Sequence, residues 1–154
     1  MPIELEIPGR PQLSLAHLLV DVNGTLSDRG ALIATVSERL RRIADDLTIH
    51  LLTADTFGNG REIAESLSAR LLRVSDGQHK REHAERLGAE GCVAIGNGAN
   101  DVPMLERCGL AIAVLGPEGS SARALLASDV VCRTIAEALD LLLSPQALMA
   151  TLRR

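Results

Sequence analysis

The stretch His17-Leu-Leu-Val-Asp-Val-Asn-Gly-Thr-Leu26 decides the fold prediction, because an apolar run ends there at an acid and passes directly into a Gly-Thr turn. A continuous apolar run bounded by turn residues is typical of a buried strand in a parallel sheet. Folds of this class place their ligands at the carboxyl ends of the strands. We therefore expect Asp21 to lie at a functional edge of the sheet.

Strand and helix patterns alternate along the rest of the chain. The predicted strands are 3–7, 16–21, 48–53, 70–74, 91–95, 110–114 and 129–132. Helical spacing of apolar residues predicts helices at 33–46, 60–68, 78–87, 100–108, 120–127 and 134–143. Repeated βα units predict a three-layer α/β fold with a doubly wound, Rossmann-like, mainly parallel sheet. Residues 3–7 alternate like a half-exposed strand, so we expect them to add antiparallel at the sheet edge.

Length and composition predict a single domain over residues 1–154. The 154 residues lie near the usual domain size, and 46% of them are hydrophobic, which is enough for a full core. We expect the core of the domain at about 16–133 and a C-terminal helical stretch at 134–154. Residues 23–33 leave no room for an inserted cap domain, so the site at Asp21 is expected to be open unless another subunit covers it.

Charge and hydropathy exclude several classes of function. The net charge is −4 without a basic tail, so nucleic acid is not an expected partner. No apolar run reaches the roughly 18 residues of a membrane span, and the acidic N-terminus is unlike a signal peptide, so we expect a cytoplasmic protein with no membrane association. Cys92, Cys108 and Cys132 are more typical of buried thiols than of disulfides or zinc ligands. His79 and His83 are expected on a solvated helix face.

Two further predicted strands end in polar residues. Thr53 is followed by Ala54-Asp55-Thr56, so a hydroxyl and backbone N–H groups suited to a phosphate oxygen emerge there. Another strand enters the turn Gly96-Asn-Gly-Ala-Asn-Asp101, which places Asn97 and Asp101 at the same sheet edge. With Asp21, these oxygens suit a hard cation such as Mg²⁺. Each feature alone is as well explained by a turn or a helix cap, but their coincidence on neighbouring strands favours a site.

Lysine usage points to the same site. Of the 16 basic residues 15 are arginine, and Lys80 alone is lysine. A compact ammonium is suited to a phosphoryl oxygen beside a carboxylate, whereas a guanidinium fork needs more space. A single surface lysine retained by chance is the alternative. The neighbouring motifs favour a functional Lys80.

Taken in chain order, the segments that contain these candidate site residues resemble the motifs of the haloacid dehalogenase-like phosphohydrolases. Asp21-Val-Asn-Gly-Thr-Leu26 is similar to motif I, Thr53 to motif II, Lys80 to motif III and Gly96-Asn-Gly-Ala-Asn-Asp101 to motif IV. The resemblance extends over roughly residues 16–133. Within the family it is closest to capless, soluble P-type-ATPase-like phosphatases.

The resemblance implies an enzyme, a Mg²⁺-dependent phosphohydrolase that acts on a small phosphorylated molecule. Asp21 is implied to be a nucleophile that forms an aspartyl phosphate. The implied catalytic residues are Asp21, Asn23, Thr53 and Lys80. The residues implied to bind the phosphoryl group are Gly24, Thr53, Ala54 and Lys80. The implied metal ligands are Asp21, Asn23, Asn97 and Asp101.

A homo-oligomer is a further implication, because capless members often shield the site with a neighbouring subunit. The apolar stretch 136–152 offers a face for that contact, and packing within the chain is the equal alternative.

Two positions depart from the family pattern, and both replace an acid by an amide. Phosphatase members carry an acid/base Asp where this chain has Asn23, and an amide cannot exchange a proton. They carry a metal-binding Asp where this chain has Asn97, which removes one negative charge from the metal site. Slow turnover is one expectation. The alternative is a catalytically weak or inactive phosphate-binding or regulatory protein.

Overall fold

Six parallel strands form the central sheet of the structure, a computed structural model in which residues 1–28, 31–54 and 60–154 are described. The strands of the described residues are β1 (Ile3–Leu5), β2 (Leu13–Leu15), β3 (His17–Asp21), β4 (Ser27–Asp28), β5 (Ala31–Leu32), β6 (Thr48–Thr53), β7 (Arg70–Arg73), β8 (Cys92–Gly96), β9 (Leu110–Val114) and β10 (Val130–Cys132). The sheet has the order β10-β9-β8-β3-β6-β7. After β7 the chain returns to the other side of β3, so the topological switch point lies between β3 and β8. Sheets of this kind bind ligands in the crevice at that point.

Helices cover both faces of the sheet, as the alternating pattern predicts. They are α1 (Val36–Ile43), α2 (Gly60–Ser66), α3 (Gly77–Leu87), α4 (Val102–Arg107), α5 (Ala122–Leu126), α6 (Ile135–Leu142) and α7 (Pro145–Leu152). Successive strand residues face opposite sides, so Leu18 packs in the core with α1, α2, α6 and α7, whereas Leu19 packs with α3, α4 and α5. The predicted three-layer, doubly wound fold is confirmed.

The N-terminal strand does not join the edge of the main sheet, so that expectation is wrong. β1 pairs antiparallel with β2, with Ile3 opposite Leu15, in a separate two-stranded sheet. β2 was not predicted, because its three residues are too few for a strand pattern and only one residue separates it from β3. Leu5 and Leu15 are fully buried, so this hairpin extends the core.

The C-terminal stretch forms two helices instead of one. Proline lacks a backbone N–H and suits the first turn of a helix, so α7 begins at Pro145. Ile135, Leu139, Leu148 and Leu152 all lie in the main hydrophobic core. Of the stretch 136–152, Leu139, Leu148 and Leu152 therefore pack within the chain. No single helix of the described residues is long and apolar enough to span a bilayer, and α6 and α7 meet that test only as a pair bent by 101°.

Short connections surround the carboxyl edge of the sheet. Among the described residues, the hairpin of β4 and β5 is the only strand structure between β3 and α1. The segment that follows Ala54, which includes the predicted backbone donors of Asp55 and Thr56, lies outside the described residues. Cys92, Cys108 and Cys132 are buried free thiols, as expected.

Three histidines that looked scattered in the sequence form a hydrogen-bonded trio at the amino edge of the sheet. His17 Nδ1 lies 3.2 Å from His50 Nε2, and His83 Nε2 lies 3.4 Å from His50 Nδ1. His83 on α3 therefore faces the sheet, and the expected solvated face is wrong for it. Burial lowers the pKa of His50 to about 4, helped by His83, His17 and the cation of Arg70 on β7.

The trio predicts acid lability. The pKa of His50 in the folded protein lies below its ordinary value of 6.5, so the unfolded chain takes up a proton first as the pH falls. Stability is retained above pH 6.5 and lost toward pH 4, by roughly 2 kcal/mol at pH 4.5 for a shift of this size. Between pH 6.5 and pH 4.5 the free energy of unfolding, measured by urea denaturation, should fall by roughly 2 kcal/mol less in His50→Gln than in wild type. Equal losses in both proteins would contradict the assignment.

Candidate functional site

Three strand ends converge on one cavity. β3 lies between β6 and β8 in parallel register, so Asp21, Thr53 and Gly96 reach the same edge of the sheet. The cavity has a volume of about 260 Å³. Its lining residues are Asp21, Asn23, Ala54, Val74, Ser75, Asp76, Lys80, Asn97, Gly98, Asn100 and Glu118. The predicted residues Asp21, Asn23, Ala54, Lys80 and Asn97 thus share one cavity.

Lys80 bridges two carboxylates beneath this cavity. Its Nζ donates to Asp21 Oδ1 at 3.1 Å and to Asp101 Oδ1 at 2.7 Å, and its side chain is almost completely buried. Lys80 projects from the first turn of α3, which begins where the Asp76 carboxylate caps the N–H of His79 at 2.8 Å. Elements far apart in sequence therefore meet at one ammonium group.

Asp101 is fully buried, and both of its oxygens are engaged. Oδ1 accepts from Lys80, and Oδ2 accepts from the N–H groups of Asn97 and Gly98, both at 3.0 Å. A Cβ on Gly96 would lie 2.5 Å from Asp101, so glycine is required for this approach. The bonds suit Asp101 to orient Lys80 and the Gly-rich turn.

Of the polar groups in the loop after β3, some face the cavity and others bond within the loop. Gly24 has a φ of 77°, which favours glycine, and its N–H donates to the carbonyl of Ser27 at 3.0 Å. That donor, predicted for phosphate, is used within the loop. Asn23 lines the cavity, and its Nδ2 donates to Thr53 Oγ1 at 3.4 Å. Thr53 itself is buried beneath the lining residues.

Asn97 is held by hydrogen bonds at both ends of its amide. Its Oδ1 accepts from Thr25 Oγ1 at 3.2 Å, and its Nδ2 donates to the carbonyl of Gly119 at 3.1 Å. The amide therefore connects the loop after β3 to a turn after β9.

Several lining residues were missed by the sequence analysis. Val74, Ser75 and Asp76 follow β7, and Glu118 follows β9. The sequence contained a usable signal for Ser75, Asp76 and Glu118, because each is a polar residue after a predicted strand, the criterion that pointed to Asp21 and Thr53. Asp76 stood beside a helix start and Glu118 within a Pro-Gly turn, where capping and turn formation gave sufficient explanations.

The site carries more negative than positive charge. Burial, the nearby Asp101 and the charge of Glu118 raise the pKa of Asp21 to about 7, although Lys80 opposes them. Burial disfavours the ammonium of Lys80, but Asp21 and Asp101 outweigh it and raise the pKa of Lys80. A phosphate dianion entering this cavity would meet the carboxylates of Asp21, Asp76 and Glu118 with one lysine to offset them. A divalent cation would restore the balance.

Lys80 is expected to contribute strongly to folding. Lys80→Met leaves two carboxylates buried without their counter-charge, which should cost about 3 kcal/mol in the metal-free protein at pH 7.5. The double variant Lys80→Met/Asp101→Asn should recover part of that loss. Urea denaturation with EDTA measures both. The control is Arg81→Met, which breaks an exposed ion pair with Glu85 on the same helix and should cost less than about 1 kcal/mol. Equal losses for Lys80 and Arg81 would refute the buried-pair account.

Comparisons with known proteins agree with this geometry. A family model described as haloacid dehalogenase-like hydrolase matches residues 77–137, which begin with α3 and include Lys80 and the Gly-rich turn. A soluble P-type ATPase-like phosphatase of Methanocaldococcus jannaschii is 28% identical over 127 residues, 79% of this chain and 46% of the relative. Over residues 77–137 the chain is thus similar to the haloacid dehalogenase-like hydrolases.

The chain is also similar to a second relative and, in its fold, to a solved structure. An uncharacterized protein of Methanocaldococcus jannaschii is 48% identical over 61 residues, 40% of this chain and 66% of the relative. The chain thus spans just under two thirds of one curated relative and less than half of the other. The fold matches 3-deoxy-D-manno-octulosonate 8-phosphate phosphatase from Moraxella catarrhalis, solved with magnesium, phosphate and KDO, with a TM-score of 0.72 and 17% identity over 90% of this chain and 94% of that one.

The oxygen donors of this cavity fit a divalent cation. No described residue donates a hydrogen bond to Asp21 Oδ2, and the cavity also presents oxygen atoms of Asn97 and Glu118. Within the described residues, no three side chains of the His, Cys, Asp or Glu types converge to hold a metal alone. Amide, backbone and water oxygens would complete the shell, as Mg²⁺ prefers.

Proposed function

We propose that this protein is a Mg²⁺-dependent phosphohydrolase that acts on a small phosphorylated molecule through an aspartyl phosphate at Asp21. The observation that supports it most is the Lys80 ammonium between Asp21 and Asp101 at the switch-point cavity. Lys80 holds one oxygen of Asp21 in place and keeps a positive charge beside the reacting carboxylate. Asp101 keeps Lys80 in that position.

In the first step an Asp21 oxygen attacks phosphorus, and the bond from phosphorus to the substrate oxygen breaks. The leaving oxygen takes a proton from water, because the amide of Asn23 is too weak an acid to give one. In the second step water attacks phosphorus, and the bond from phosphorus to Asp21 breaks. Phosphate leaves, the water proton passes to solvent, and the carboxylate is regenerated.

The cation would be held by Asp21, by a backbone or amide oxygen of Asn23 and by Asn97. When bound, it would offset the negative charge shared by Asp21 and the phosphoryl oxygens. In this proposal Asp101 holds Lys80 in position, because its Oδ1 accepts from the ammonium and its Oδ2 from two backbone N–H groups.

The substrate class follows from the cavity. Its volume is about 260 Å³, and acids and amides dominate its lining. Such a space suits a phosphoryl group on a small hydrophilic carrier, for which a phosphorylated sugar acid is the example in the Moraxella catarrhalis enzyme. The expected cytoplasmic location and homo-oligomer remain parts of the proposal, and the buried free thiols agree with a reducing compartment.

The test is hydrolysis of p-nitrophenyl phosphate with Mg²⁺ or EDTA, followed by an acid quench and mass analysis. We expect Mg²⁺-dependent release of nitrophenol and one phosphoryl group on the peptide that contains Asp21, removable by hydroxylamine. No turnover and no label would refute the enzyme. The half-buried amide of Asn23 favours the second candidate, a weak phosphate-binding protein, and Mg²⁺-dependent phosphate binding without label or turnover would support it.

A further inference from the structure

Glu118 reaches the cavity from a strand end that the proposed reaction has not used. It is the third residue of a tight turn at 116–119, in which the N–H of Gly119 donates to the carbonyl of Gly116 at 2.9 Å. Pro117 at the second position and Gly119 at the fourth, with a φ of 75°, are typical of a type I turn. The turn directs Glu118 to the sheet edge where Asp21 lies.

The carboxylate of Glu118 lies directly over Gly24. A Cβ on Gly24 would collide with Glu118 Oε2, and Asn97 Nδ2 is 3.2 Å from the same position. A Cβ on Gly116 would lie 2.7 Å from the carbonyl oxygen of Gly24. Two glycines therefore allow the turn and the loop after β3 to approach closely. The approach places the carboxylate beside both the loop that follows Asp21 and the amide of Asn97.

Asn97 holds this turn in place. Its Nδ2 donates to the carbonyl of Gly119, and its own backbone carbonyl accepts from the N–H of Ser121 at 2.7 Å and from Ser120 Oγ at 3.0 Å. A carbonyl only accepts, so the NH₂ end of the amide must face Gly119. An aspartate at position 97 has no such donor and would repel that carbonyl. The amide at this position thus has a structural reason.

Glu118 is also an acid of the cavity with both oxygens available. Both oxygens of Asp101 accept hydrogen bonds, and Asp76 Oδ1 caps α3. Glu118 is exposed and forms no hydrogen bond or ion pair with any described residue. We propose that Glu118 is a ligand of the divalent cation, directly or through one water, and that Asn97, besides the ligand role proposed above, holds the turn of Glu118 over the site. The proposal rests on the proposed function, which supplies the cation.

Calorimetric titration of Mg²⁺ into the phosphate-free full chain tests this proposal without an activity readout. Glu118→Gln should weaken Mg²⁺ binding by about 10- to 100-fold, as losses of ligand or supporting groups commonly do. The control is Glu106→Gln, which removes the same charge from an exposed position on α4 outside the cavity lining and should stay within about twofold of wild type. Unchanged binding by Glu118→Gln would overturn the proposal.

A double variant tests whether Glu118 binds the cation or only attracts it as a distant negative charge. In the Glu118→Gln background, Asn97→Asp places a carboxylate in the site without needing the turn, so it should restore most of the lost affinity. In the wild-type background, the same change loosens the turn and should bring little gain. Equal effects of Asn97→Asp in both backgrounds would overturn the proposal. If wild type binds no Mg²⁺, the cation of the proposed function fails as well, whereas normal wild-type binding with an inert Glu118 refutes this inference alone.

Discussion

Asp21→Asn is expected to lower Mg²⁺-dependent phosphatase activity by about 10⁴-fold or more and to remove the phosphoryl label entirely. The amide keeps the shape of the side chain but lacks the nucleophilic oxygen. Steady-state hydrolysis of p-nitrophenyl phosphate and mass analysis of quenched protein measure both losses. Asp45→Asn, an exposed change outside the cavity, should leave both at the wild-type level.

The same variant should fold at least as well as wild type. The pKa of Asp21 is raised to about 7, first by burial and then by Asp101, so the folded protein favours the neutral carboxyl. Its contribution to stability is therefore greatest at low pH and is lost as the pH rises from about 4 through about 7. An amide mimics the neutral form at every pH. Urea denaturation in EDTA at pH 8 should show no loss for Asp21→Asn, and a clear loss would mean that its inactivity reports unfolding.

The convergence of Asp21, Thr53, Lys80 and Asn97 was predictable from sequence because each residue has a local cause. Three follow apolar strands, and parallel strands bring their carboxyl ends to one edge. Lys80 was found by its chemistry, as the single lysine of the chain. The fold was predictable for the same reason, since the apolar residues of each core layer recur along the chain at the regular spacing of a strand or a helix.

What escaped prediction depends on contacts between distant segments. The histidine trio joins β3, β6 and α3, and His17 and His50 are 33 residues apart. The bond from Asn97 to Gly119 likewise joins two turns that no local pattern connects. Periodicity reports which face of an element is buried, but not which neighbour a polar group on that face will meet. The two amides were therefore read as losses, whereas Asn97 has a partner that only an amide can satisfy.

Asn23→Asp is expected to raise turnover by about 10²-fold, within the range that general acid–base catalysis commonly contributes. The side chain is half-buried in the cavity lining, and Asp has nearly the same shape as Asn. The hydroxyl of Thr53, which accepts from Asn23 in this structure, is able to donate to a carboxylate instead. An acid placed beside Asp21 and Glu118 has its pKa raised by like charges, so a protonated fraction persists near neutral pH.

Single-turnover measurements locate the step that this change accelerates. A carboxyl at position 23 should protonate the leaving group and then activate water, so the label on Asp21 should disappear faster in Asn23→Asp than in wild type. Asn23→Ala removes the amide without adding an acid and should not exceed wild type in either step. If label formation and loss are both unchanged in Asn23→Asp, position 23 does not face the reacting oxygen. A faster loss would instead show that the amide of Asn23 sets how long the phosphoryl group stays on Asp21.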